Sequence, residues 1–145
     1  MLDNARDMTV WLIWLALIPF IYCTAMLWVD PAMTPRLILG EITWASAVLA
    51  FIGGSWWQRS AETRGRSLWT LYALVPLVLG FIAQLLDTMQ ALWLLTFSFV
   101  LLFSAEVRTM KSNPEIPNHL AIASLVAALT LQITLWQLKS TGLYE

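Results

Sequence analysis

The sequence predicts an all-α, polytopic membrane protein with five transmembrane helices, forming a single domain over residues 1–145. Hydrophobic residues make up 59% of the chain and charged residues only 12%, whereas soluble domains carry about 25% charged residues. Mean hydropathy is +0.71. This composition argues against a soluble globular protein and a disordered chain. The net charge of −1 leaves no basic surface for nucleic acid.

Five apolar segments have the length that a membrane span requires. A hydrocarbon core about 30 Å thick needs roughly 20 apolar residues of helix. Lipid offers no hydrogen bonds to the backbone, so each segment must be helical. The connections between them are short and polar, and none is long enough for a soluble domain. The predicted spans are 10–29, 38–57, 68–86, 89–107 and 119–138.

The basic residues predict the orientation. With five spans, six of the eight Lys and Arg residues fall on the side of the N-terminus and only two on the other. Because short cytoplasmic loops are enriched in Lys and Arg, the N-terminus is predicted in the cytoplasm and the C-terminus outside. The expected location is the bacterial cytoplasmic (inner) membrane, with the mitochondrial inner membrane as the less favoured alternative.

The nine Trp residues fall mostly near the ends of the predicted spans. Trp and Tyr side chains anchor helices at headgroup depth, and this is the simplest interpretation of most of them. Trp56 and Trp57, at the inner end of the second span, also suggest a contact for a lipid or a quinone ring.

Small residues predict where the helices pack. In lipid, helices associate where small side chains let backbones approach closely. The second span has such a stripe at intervals of three and four residues, and the third and fifth have shorter ones. We therefore expect spans two, three and five at the packed centre and the Leu- and Phe-rich fourth span to face lipid. The predicted packing residues are Gly40, Ala47, Ala50, Gly53, Gly54, Ala73, Gly80, Ala83, Ser124 and Ala128.

Prolines inside two spans predict kinks. Pro19 and Pro76 each remove a backbone donor and each leave a carbonyl without its helical partner. Such kinks either shape the bundle or line a cavity.

A few polar residues fall within the predicted spans. Glu41, Gln84 and Gln132 form the candidate intramembrane polar site, since ionisable groups at depth are functional candidates. Glu41 points about 140° away from the small-residue stripe of its own span at 100° per residue. It is either a carboxylate near a helix N-terminus that reaches the interface, or a proton or cation site. The two Gln side chains are expected to hydrogen-bond across helices.

The sequence contains no recognisable catalytic constellation. It has one His and one Cys, which allows neither a disulfide within the chain nor bis-His haem ligation. It lacks a Walker loop, the Gly-x-Ser-x-Gly pattern and the His-Glu-x-x-His pattern. We therefore expect no enzymatic activity, no metal site and no cofactor.

The second span ends in Phe51-Ile52-Gly53-Gly54-Ser55-Trp56-Trp57. This segment resembles the Phe-Leu-Gly-Gly-x-x-Trp signature of a family of small bacterial and mitochondrial membrane proteins typified by the transmembrane protein 69 type. Pro19 and Pro76 match further family features in the right order. Trp56 stands where the family tends to have His or Arg. The resemblance implies a five-span inner-membrane protein and supplies no activity.

Three functions remain open from the sequence. The first is a non-catalytic assembly, accessory or interaction protein that packs against itself or against a larger inner-membrane complex. The second is an oligomeric subunit of a small-solute transporter or channel, built around Pro19, Pro76, Glu41 and Gln132. The third is a lipid- or quinone-binding protein. The lipid bilayer is the expected environment in each case.

Overall fold

The computed structural model describes residues 10–62, 67–112 and 119–142, with side chains given outside 58–70 and 109–118. Within these ranges the chain forms five helices and one turn of 3-10 helix. They are α1 (Ile18–Val29), the 3-10 turn (Pro31–Met33), α2 (Thr34–Glu62), α3 (Ser67–Leu85), α4 (Thr88–Ser112) and α5 (His119–Thr141). The predicted all-helical fold is confirmed for the described residues. The basic residues Arg6, Arg64 and Arg66, used for the orientation, lie outside them.

Four of the helical segments are long and apolar enough to cross a membrane. They are Val10–Val29, Pro31–Trp57, Thr88–Arg108 and His119–Thr141. The third predicted span corresponds to α3, and the part of it whose side chains are described, Leu71–Leu85, is apolar. The protein is therefore a helical membrane protein with four candidate spans in its described residues. The crossing by α3 stays a prediction.

The helices pack in a simple antiparallel order. α2 makes its most extensive contact with α3, and α4 with α5, while α1 lies against both α2 and α5. Aromatic pairs mark the two ends of the α1–α5 contact. Trp14 meets His119 edge-on at 6.1 Å, and Trp28 meets Trp136 at 6.2 Å. The first span and α5 therefore run parallel, as four intervening connections, each reversing the direction of the chain, require.

α4 contributes one buried face to the centre of the bundle. Its residues Leu92, Leu95 and Phe99 are almost completely buried, and Phe99 meets Phe20 of α1 edge-to-face at 5.8 Å. The expectation that the fourth span faces lipid was therefore wrong. Leu is as compatible with lipid as with a packed interior, so a Leu-rich composition does not distinguish the two environments.

α3 is the helix with the most exposed apolar surface. It buries one narrow stripe of small residues against α2, and its large side chains point away from the bundle. The exposed members are Leu71, Tyr72, Leu74, Val75, Leu77, Val78, Phe81, Ile82 and Leu85.

The first span is interrupted where Pro19 predicts a kink. Helical residues 10–15 are followed by a turn at Ala16 and Leu17, and α1 begins at Ile18 with Pro19 in its first turn. The carbonyl of Ala16 accepts a hydrogen bond from the indole Nε1 of Trp44 on α2, at 2.8 Å. The interruption therefore provides an acceptor that ties the first span to α2.

Candidate functional site

α2 carries small residues on two different faces, and only one of them packs within the chain. The inner face meets α3 at Gly53 and Ser46. A Cβ atom built on Gly53 would lie 2.7 Å from the carbonyl oxygen of Ala73, and one built on Gly80 would lie 3.0 Å from the carbonyl oxygen of Ser46. At Gly53 and Gly80, the backbones of α2 and α3 are so close that an added methyl group would be crowded.

The other packing residues of α3 and α5 lie where the sequence suggests. Ala73 and Ala83 of α3 are buried, and so are Ser124 and Ala128 of α5. Pro76 is inside α3, is buried, and lies beside Gly53, with its Cβ 3.7 Å from the position of an added methyl group.

The rest of the predicted α2 stripe faces outward. Gly40, Ala47 and Gly54 are exposed, and a Cβ atom built on either glycine would meet nothing within 4 Å. Ala50 is half-buried. Gly40, Ala47 and Gly54 therefore take no part in the contact of α2 with α3 within the chain. The contact follows Ser46 and Gly53 instead, on a neighbouring face of the helix.

Thr43 lies on this exposed stripe, and its hydroxyl makes no hydrogen bond within the described part of the chain. Other Ser and Thr residues in the spans donate to the carbonyl four residues earlier, as Ser46 does to Ile42 at 2.9 Å and Thr96 to Leu92 at 2.8 Å. We call Gly40, Thr43, Ala47 and Gly54 the outer stripe. It is small, open and carries one free hydroxyl.

Glu41 lies on the opposite side of α2 and is completely buried. Its Oε2 lies 3.0 Å and its Oε1 3.2 Å from the hydroxyl oxygen of Thr134 on α5. Its Oε1 lies 3.4 Å from the hydroxyl oxygen of Thr24 on α1. The two Thr hydroxyls are 3.2 Å apart. Three helices thus meet at one carboxyl group. Because the stripe was expected to pack inside the bundle, the angle predicted Glu41 away from the packed centre. The structure has the reverse, with the stripe exposed and Glu41 buried.

Gln84 and Gln132 do not join Glu41. Gln84 crosses from α3 to α2, where its Nε2 donates to Ser46 Oγ at 3.0 Å and to the carbonyl of Ile42 at 3.3 Å. The Nε2 of Gln132 is buried without an acceptor among the described residues. The three residues of the candidate polar site therefore lie in separate places.

A second buried carboxyl group, Glu106 of α4, accepts from the indole Nε1 of Trp56 at 2.9 Å. Glu106 is 3% exposed. Along α2, Trp56 lies 15 residues beyond Glu41, which is about 22 Å at 1.5 Å per residue. The two carboxyl groups are therefore at opposite ends of the bundle.

The suggested lipid or quinone contact at Trp56 and Trp57 is only partly open. Trp56 is half-buried and bonded to Glu106, while Trp57 is about half exposed. Gly53 is covered by α3, so a flat ring cannot lie over both glycines of the Gly53-Gly54 pair. Gly54 and Trp57 remain accessible.

The remaining chemically versatile residues are isolated from one another. Cys23 of α1 is a buried free cysteine. His119 begins α5, and its Nδ1 is buried without a partner among the described residues. In that part of the chain, no group of three or more His, Cys, Asp or Glu residues is placed to hold a metal ion.

Comparison with known proteins adds no relative: no family model, no curated protein and no solved structure matches this chain.

Proposed function

We propose that the protein is a non-catalytic integral membrane protein that acts by helix association, as an assembly or accessory factor, and that it binds a second copy of itself through the outer stripe. Two properties of the outer stripe carry this proposal. It offers close backbone approach at Gly40 and Gly54, and it presents the free Thr43 hydroxyl to the lipid-facing side of α2.

The stripe has the dimensions of a helix–helix contact. Gly40 and Gly54 are 14 residues apart, or about 21 Å along the helix axis, which is most of the hydrocarbon thickness. Small residues at such intervals let two transmembrane helices come close enough for van der Waals packing along their length. None of the four residues is charged, so nothing on the stripe opposes its burial.

A second copy of the chain is the partner that fits most simply. A two-fold axis places the same patch on both sides of an interface, so two outer stripes would meet glycine to glycine. The Thr43 hydroxyl of each copy would then reach a backbone carbonyl of the other helix. Such interhelical bonds in membranes contribute about 0.6 kcal/mol on average, and the packing supplies the rest.

The finer localisation belongs to the same proposal. The Lys and Arg distribution and the resemblance to the transmembrane protein 69 type support the bacterial inner membrane, with the N-terminus in the cytoplasm. A reporter fused to the C-terminus tests the orientation. A reporter that becomes active only outside the cytoplasm should be active in this fusion, and a reporter that is active only in the cytoplasm should be inactive. The opposite pair of results would reverse the assignment.

Native mass spectrometry from mild detergent tests the association. We expect a dimer or a larger homo-oligomer for the unaltered chain. Ala47→Leu and Gly54→Leu should shift it to monomer, because Leu separates the two backbones. Ala25→Leu is the matched control, since Ala25 is an exposed alanine of α1 away from the stripe, and it should leave the oligomer intact. A monomeric unaltered chain, or oligomers in all variants, would contradict the proposal.

A further inference from the structure

The carboxyl group of Glu41 is enclosed by three helices, and within the described part of the chain its hydrogen-bonding partners are hydroxyl groups. Its hydrogen-bonding partners are Thr24 of α1 and Thr134 of α5. Cys23, next to Thr24, is the titratable side chain close enough to interact with it electrostatically. The basic residues nearest in sequence on α2 and α5, Arg36 and Lys139, are exposed, and neither is paired with Glu41.

The contacts at Glu41 form a closed ring when the carboxyl group carries a proton. The acid O–H at Oε2 donates to Thr134 (3.0 Å), Thr134 donates to Thr24 (3.2 Å), and Thr24 donates to Oε1 (3.4 Å). A carboxylic acid has one donor and a hydroxyl has one donor. Three hydrogens therefore fill three of the four O···O contacts, the fourth being Thr134 to Oε1 at 3.2 Å. Oε2 donates, and Thr134, Thr24 and Oε1 each accept one bond.

The ionised form does not fill the same ring. A carboxylate only accepts, so the two hydroxyl hydrogens must serve four contacts, and two stay unfilled. A buried negative charge without a cation is also costly in an apolar surrounding. The geometry therefore matches the neutral acid on two independent grounds, the number of donors and the absence of a paired cation among the described residues.

A buried polar side chain lies on α5 between Thr134 and the end of the helix. Gln137 lies three residues beyond Thr134, on the same side of α5. It is 6% exposed, and its Oε1 has no donor within the described part of the chain. Two and three residues farther along, Lys139 and Ser140 are exposed. An acceptor is thus buried between the ring and the end of the helix.

We propose that Glu41, held by Thr24 and Thr134, is a proton-binding site that exchanges its proton with water through the Gln137 end of the bundle. On release, the O–H bond at Oε2 breaks, the electron pair stays on the carboxylate, and the proton passes to a water molecule as hydronium. Uptake is the reverse. This site is independent of the outer stripe, because Glu41 and the stripe lie on opposite sides of α2.

Infrared spectroscopy of the full chain reconstituted in lipid vesicles tests the site. At neutral pH the unaltered protein should show the carbonyl stretch of a buried carboxylic acid, and Glu41→Gln should abolish it. The amide of Gln replaces the acid O–H with an N–H donor, so the ring keeps its contacts and the helix bundle should fold. Glu106→Gln is the matched control and should leave the Glu41 band in place. A missing band in the unaltered protein, or a band that survives Glu41→Gln, would overturn the proposal.

The ring makes a second prediction for the same band. Thr24→Val removes the donor to Oε1, so the carbonyl stretch should move to higher frequency. A frequency unchanged in this variant would contradict the ring.

Hydrogen–deuterium exchange tests the route. After transfer to heavy water, the acid band should shift as O–H becomes O–D. Gln137→Leu should slow this shift several-fold, whereas Gln132→Leu, on the same helix but outside the Glu41 site, should not. Equal exchange rates for the unaltered chain and Gln137→Leu would show that the proton of Glu41 does not exchange with water through the Gln137 end.

Discussion

The inner face and the outer stripe of α2 have similar composition and different surroundings. At the inner face, Gly53 meets the carbonyl oxygen of Ala73 and leaves no room for a methyl group, whereas the next residue, Gly54, has nothing within 4 Å. Successive residues of a helix point about 100° apart, so adjacent glycines belong to different faces. The comparison teaches that small residues mark where a helix can be approached closely. Whether a helix of the same chain packs there depends on where that helix lies, and the small residue alone does not determine it.

The largest expected difference in the free energy of unfolding is between Gly53→Ala and Gly54→Ala, each of which adds one methyl group. Gly53→Ala places a Cβ atom 2.7 Å from a backbone oxygen, so α2 and α3 must separate, and overpacking of this kind costs about 1–3 kcal/mol. Gly54→Ala should be neutral or slightly stabilising, since Ala favours helix over Gly. Reversible unfolding in mixed micelles measures both free energies. Equal losses in the two variants would show that the faces do not differ.

The next effect concerns the contact of α2 with α5 at Glu41. Thr134→Val removes the hydroxyl that binds both carboxyl oxygens, and leaving a buried polar group without its partner costs about 1–3 kcal/mol. Thr130→Val is the matched control, because that buried hydroxyl donates only to the carbonyl of Ala127 on its own helix. We expect a smaller loss of unfolding free energy there. The same loss in both would mean that the Glu41 contact adds nothing to the packing of the bundle.

The smallest effect concerns Trp44 of α2. Trp44→Phe keeps an aromatic ring and removes the bond from Nε1 to the carbonyl of Ala16. A loss of about 0.6 kcal/mol is expected for one interhelical hydrogen bond in a membrane protein. Trp93→Phe, at an exposed Trp of α4, serves as the control in the same unfolding assay. A loss no larger than that of the control would show that the bond does not tie the first span to α2.

The sequence predicts the helices well because the bilayer imposes their length and apolar character. The predicted segments 10–29 and 119–138 agree with Val10–Val29 and His119–Thr141 to within a few residues. The angle of about 140° between Glu41 and the outer stripe also holds, although it is Glu41 that is buried and the stripe, expected to be the packed face, that is exposed. These predictions use only the geometry of a single helix.

The predictions that failed concern relations between helices. Which of Gly53 and Gly54 packs against α3 depends on the position of the Ala73 carbonyl. No sequence pattern within α2 reveals that position. The burial of Leu92 and Leu95 in α4 depends on which helices surround them, because lipid and a packed core accept Leu equally. The meeting of Thr24, Glu41 and Thr134 joins three distant parts of the chain. Two Thr residues in apolar runs give no signal of it by themselves.

The central claim is that α2 uses its inner face to fold the bundle and its outer stripe to bind a second copy. Oxidative cross-linking in native membranes tests it most directly. In a Cys23→Ala background, the variants Gly40→Cys, Thr43→Cys and Ala47→Cys place single thiols along the stripe, and Ala25→Cys places one on an exposed part of α1 as control.

A disulfide requires Cα atoms within about 7 Å, so random contact in the membrane gives little product. The account predicts a disulfide-linked dimer for at least one stripe position, most abundant where the two helices cross, and none for Ala25→Cys. No dimer at any of the three stripe positions, or equal dimer formation at Ala25, would contradict it.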